Sequence, residues 1–174
     1  MSAGINIPLK GSPFALRHTN KCMKRHRKPV QNKGQGHMRY EKPETIAEAT
    51  RLLSDEPGLS RILAGGTDVL VQMKAAHVEP DLVVDIKGIH GMHDVSPEDG
   101  GDRIGAAVSG DALGQNADVC AMWPGVVEAF CLIGSTQGLG RATRTGILCT
   151  GSPAADSVPA LVAAGASVRV EGPA

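Results

Sequence analysis

Aromatic residues are nearly absent from this 174-residue chain, which has one Trp, one Tyr and two Phe. A core must therefore be built from Ala, Val, Leu and Ile, and surfaces on which bases could stack are missing, which speaks against single-strand nucleic-acid binding. The four cysteines, Cys22, Cys120, Cys131 and Cys149, form no C-x-x-C pair and no zinc spacing, so they read as reduced thiols. No apolar run is long enough for a membrane span, and residues 1–37 lack the apolar stretch of a secretory signal. These absences point to a soluble cytoplasmic protein with one core, or two small lobes. There is no G-x-S-x-G elbow, no P-loop and no H-E-x-x-H.

The net charge is zero, but it is unevenly divided. Residues 1–37 carry eight Lys and Arg and no acid, which leaves ten basic and all eighteen acidic residues for the remainder. The arm is punctuated by Gly, Pro and Asn and has no period of 2 or 3.6, which predicts disorder. "CMKRHRKP" admits a nucleic-acid patch or a targeting signal, and a basic, acid-poor leader admits a mitochondrial transit peptide. The reading preferred here is a basic, disordered, non-functional extension ahead of a natural start at Met38.

From Met38 the pattern becomes regular. "KPETIAEATRLLSDEPG" predicts an amphipathic helix that starts at Pro43 and Thr45 and stops at Pro57-Gly58. "RILAGGTDVLVQMK" (61–74) predicts a strand over 61–64, a glycine turn, and a helix capped by Thr67 or Asp68 with Val69, Leu70 and Met73 on its inner face. Glycine at such a turn lets a phosphate approach free N–H groups, although Gly65 and Gly66 would also serve simply to turn the chain. A strand at 81–86 completes a βαβ-like lobe.

"GIHGMHDVSPEDGGD" reads as a surface loop. Its His90, His93 and Asp94 have a metal-like spacing, but the flanking glycines oppose the helix that spacing needs, so no metal site is expected. Further on, the pattern predicts a strand at 103–110, a helix at 124–134 with Pro124 in its first turn and Trp123 anchoring the core, a helix around 157–164 and a strand at 167–171. "GLGRAT" imitates a dinucleotide fingerprint but lacks the third glycine, and Pro153 and Pro159 interrupt the helix it requires.

"ILAGGTD", "EPDLVVDIKGI", "RIGAAVSG", "MWPGVVEA", "IGSTQ" and "LCTGSPAADSVPALVA" occur here in one order. From Met38 to about Val170 the chain resembles the FAD-binding (medium) subunit of molybdenum hydroxylases, a group that includes carbon monoxide and xanthine dehydrogenases. The resemblance implies an α+β, PCMH-type FAD-binding fold of two lobes, one over about 38–90 and a second, incomplete one over about 95–174. It implies a flavoprotein subunit of an oxidoreductase, with electrons arriving from molybdopterin through 2Fe-2S clusters. The molybdopterin would sit on a large partner subunit, the clusters on a small one, and FAD would pass the electrons to an external acceptor. Because the redox chemistry is the cofactor's, no catalytic acid or base is expected. By position, Ile62, Leu63, Ala64, Gly65, Gly66, Thr67, Asp68 and Val69 match the first FAD loop. Thr143, Arg144, Thr145, Gly146 and Ile147 occupy the second, Asp156 matches an acid near FAD, and Ile133 falls where an apolar residue lines the site.

The second loop departs from the family pattern of Thr, aliphatic, Gly, Gly, Asn. Thr145 stands where glycine would admit positive φ or close approach, Arg144 stands where a buried apolar residue is expected, and Ile147 lacks the amide of Asn. Arg144 would either pair with the FAD phosphates or mark a damaged half-site, which leaves an alternative reading: a truncated remnant that keeps the fold without binding FAD. On the damage reading, Thr145→Gly would tighten FAD binding.

Overall fold

The computed structural model describes residues 2–8, 38–98, 100–132, 135–152 and 155–172. Its architecture is α+β, with two sheets of different kinds, each backed by its own core.

The first sheet is parallel. Strands β2 (Arg39–Glu41), β3 (Ser60–Leu63) and β4 (Leu82–Asp85) pair in the order β2-β4-β3, with Ile62 opposite Val84 and Tyr40 opposite Val83. The central strand is buried along its whole length, its apolar run over 82–84 suiting a strand covered on both faces and Asp85 closing it. Helix α1 (Ile46–Asp55) follows Pro43, and the Thr45 hydroxyl accepts the Glu48 N–H at 3.2 Å. It contributes Ala49 to a core with Ala64, Leu82, Val84, Ile86, Ile89 and Met92, and this core also takes in Ala106 and Ala107.

The second sheet is antiparallel, ordered β5-β6-β1-β7, with β1 at Ser2–Pro8, β5 at Val95–Glu98, β6 at Gly101–Ile104 and β7 at Ser167–Glu171. Residues 2–8 thus depart from the disorder expected of them: backbone pairing with β6 on one side and β7 on the other supplies the order that side-chain periodicity does not reveal. The rest of the basic arm lies outside the described residues.

The strand expected at 103–110 is shorter as well. It ends at Ile104, because the next amides turn away, Gly105 N–H donating to Asp94 O (2.9 Å) and Ala107 N–H to Met92 O (2.7 Å). Short helices α3 (Gly110–Gly114), α4 (Ala117–Met122), α5 (Pro124–Cys131), α6 (Thr136–Leu139), α7 (Arg144–Thr150) and α8 (Ser157–Ala163) cover this sheet. They enclose Ile104, Val108, Leu113, Val119, Trp123, Val126, Phe130 and Leu161. Trp123 anchors that core, though its indole N–H finds no acceptor among the described residues.

Candidate functional site

The glycine turn after β3 leads into α2 (Val69–Lys74). Gly66 has φ +79, a region that residues with a Cβ rarely adopt. Gly65 is glycine for another reason: a Cβ there would collide with the Arg141 carbonyl oxygen and come within 3.0 Å of the Thr143 amide nitrogen. The first loop is therefore seated directly on the backbone that leads into α7.

A second link joins the same elements. The Thr150 hydroxyl lies 3.1 Å from the Asp68 carboxylate, and 2.9 Å from the Gly146 carbonyl. Of the two residues expected to cap α2, Asp68 stands at its start without a side-chain capping bond, and its carboxylate meets α7 instead. Of the inner face expected of α2, Val69 and Met73 are half-buried and Leu70 is exposed, so the helix packs only loosely.

The second loop is not a loop. Thr143 caps α7, its hydroxyl accepting the Gly146 N–H at 3.3 Å, and Arg144, Thr145, Gly146 and Ile147 form the first helical turn. Thr145 does not have positive φ, because the only described residue other than glycine in that region is Ala76. The backbone strain expected at Thr145 is thus not there; what remains is a buried, β-branched side chain in the first turn of α7.

Arg144 is the anomaly of the site. It is 2% exposed, and its guanidinium has no hydrogen-bond partner on any nitrogen among the described residues. The group stacks on the Phe130 ring at 3.3 Å from the centroid, and Gly110 leaves the space that its Nη2 fills. Burial pushes its pKa down to about 9. The side chain points into the second core, so the expected cost of burying it is incurred there, offset by stacking on Phe130 and by the favourable charge interaction with Cys131.

Asp156 stands exposed at the start of α8 and makes no capping bond. Ile133 lies outside the described residues. Ile62, Leu63 and Ala64 lead into the loop from β3, with Ala64 buried, while Thr67 and Asp68 are exposed where a ligand can reach them.

Sequence reasoning missed a cluster behind the loop. Lys87 Nζ donates to the Ala64 carbonyl at 3.2 Å and pairs with Asp85 at 2.7 Å, and the Tyr40 hydroxyl donates to the other Asp85 oxygen. Burial alone would raise the Asp85 carboxyl, but hydrogen bonds from Lys87 and Tyr40, with the charge of Lys87, hold it below the ordinary carboxylate range. The signal available was an acid ending an otherwise apolar buried strand, with a lysine two residues later. Among the described residues no His, Cys, Asp and Glu group could hold a metal, and no helix is long and apolar enough to cross a membrane.

Comparison with known proteins gives a consistent result. The family model described as "FAD binding domain in molybdopterin dehydrogenase" matches residues 36–174. The xanthine dehydrogenase FAD-binding subunit of Escherichia coli O157:H7 is 31% identical over 135 residues, which cover 77% of this chain and 46% of that protein. The carbon monoxide dehydrogenase medium chain of Hydrogenophaga pseudoflava is also 31% identical, over 77% of this chain and 47% of its own length. Among solved structures, reconstituted CO dehydrogenase from Oligotropha carboxidovorans matches with a TM-score of 0.66 and 30% identity, over 70% of this chain and 43% of that one. The chain thus spans about half the length of the curated relatives it matches. With the family match covering residues 36–174, most of the chain, this chain belongs to the family of FAD-binding domains found in molybdopterin dehydrogenases.

Proposed function

We propose that this chain binds FAD as the electron-transfer component of a molybdenum hydroxylase-type oxidoreductase of the carbon monoxide or xanthine dehydrogenase kind. Its partners in that role are a molybdopterin-binding large subunit and an iron–sulfur small subunit. The observation that carries the reading is the seating of the Gly65-Gly66 loop on the backbone entering α7, which brings the two segments matched to the FAD loops together.

The residues present fit the pyrophosphate. Gly66 turns the chain with φ +79, Thr67 and Asp68 are exposed, and the backbone N–H groups of Gly65 to Val69 are the donors for an anion at this end of α2. Bound FAD would supply the exchange of electrons between the clusters and the acceptor. The chain's own part is to hold and orient the cofactor. Ile62 to Ala64 fix the approach to the loop, the backbone at Arg141 and Thr143 supports it, and Arg144 to Ile147, Asp156 and Ile133 are assigned to the cofactor's surroundings by position alone.

The buried, unpaired Arg144 favours a second reading, in which the fold persists without flavin. The two are separated by incubating the purified 174-residue protein with FAD, desalting it and recording the absorbance spectrum. About one flavin per chain supports cofactor binding. A folded, colourless protein favours the remnant.

A further inference from the structure

We propose that Lys87 and Asp85 form a latch that sets the peptide between Ala64 and Gly65, and so positions the first glycine loop for its ligand. The latch deepens the FAD reading and rests on it. In a trans peptide the carbonyl and the following N–H point in opposite directions. By donating to the Ala64 carbonyl at 3.2 Å, the Lys87 ammonium draws that oxygen toward β4 and turns the Gly65 N–H to the other side.

Lys87 is itself held. Asp85 accepts from its ammonium (2.7 Å) and from its backbone N–H (3.0 Å), and Tyr40 occupies the remaining carboxylate oxygen. The Asp85 side chain is 5% exposed while that of Lys87 is 39% exposed, so the buried acid is the fixed anchor and the lysine is the arm that spans to the loop. A plain β3–β4 tie would need no donor beyond the ladder the two strands already share, and the Ala64 carbonyl lies past its end. Lys87 and Asp85 are positioning residues, since neither is placed among the groups that meet the ligand.

The test compares wild type, Lys87→Met and Lys87→Arg in the full chain by nitrogen-15 relaxation and by FAD titration. In Lys87→Met the order parameters of the Gly65 and Gly66 amides should fall below about 0.6 while those of Val83 and Val84 in β4 stay near rigid values, about 0.85. The dissociation constant for FAD should rise about ten-fold or more, the scale of a lost hydrogen bond to a charged group, and Lys87→Arg should recover most of both effects. Unchanged Gly65 and Gly66 amides, or equal loosening of β4, would overturn the latch. If Lys87→Met does not fold, Lys87→Met with Asp85→Asn removes the stranded charge and is held to the same criteria. If wild type takes up no FAD, the cofactor reading fails, and the order parameters alone decide the latch.

Discussion

Arg144 shows what one side chain can cost. A guanidinium whose pKa burial pulls down to about 9 carries a penalty on the order of 5 kcal/mol at neutral pH, offset by roughly 2 kcal/mol from stacking on Phe130. Arg144→Leu should therefore raise the melting temperature by roughly 5–10 °C in calorimetry at pH 7. The sign with pH is fixed by linkage. Below pH 9 the group is protonated folded and unfolded, so the penalty is whole; as pH rises above 9 the folded form sheds its proton first and the penalty shrinks. The advantage of the leucine variant should accordingly narrow between pH 8 and pH 10.5, and a constant gap would contradict the account.

Asp85 behaves oppositely. Its carboxyl is held below its ordinary 3.8, so its contribution is present above that value and lost as pH falls through the lower folded one. Asp85→Asn should destabilise the protein at pH 7, and the difference should close below about pH 4 in denaturant titrations.

The loop between β3 and α2 is where element geometry and chemistry meet. Its two glycines answer different demands, close packing at Gly65 and positive φ at Gly66. Gly65→Ala should be the more damaging substitution, costing about 2 kcal/mol or more, because backbone that carries α7 must move to admit the Cβ. Chemical denaturation would measure that loss, and FAD uptake should fall with it. Motif position marked this loop as a candidate, but not the reason for each glycine. The carbonyl pressed on Gly65 belongs to Arg141, seventy-six residues away in sequence, where no local pattern points to it.

At the scale of the molecule, β1 bridges β6 and β7, which do not pair with each other. Removing residues 1–8 should leave two facing rows of unpaired backbone groups, lower the melting temperature, and promote self-association detectable by light scattering. A truncated protein that stays monodisperse and equally stable would show the strand to be dispensable. Two of the features that carry the reading of this molecule, the slot taken by β1 and the seat of the first loop, join segments more than seventy residues apart.

That separation divides what was legible from what was not. The sequence by itself determined α1, α5, α8, β3, β4 and β7 to within a few residues, because capping residues, proline positions and apolar periods act over a single turn or strand. It also placed the family, since the order of short motifs survives where overall identity is low. Only the tertiary structure decided that Thr145 sits in an ordinary helical turn, that Arg144 enters the second core, that residues 2–8 pair as a strand, and that Lys87 reaches Ala64. Each of these depends on which backbone group or void stands opposite, and that neighbour is supplied by a segment that folding alone brings near.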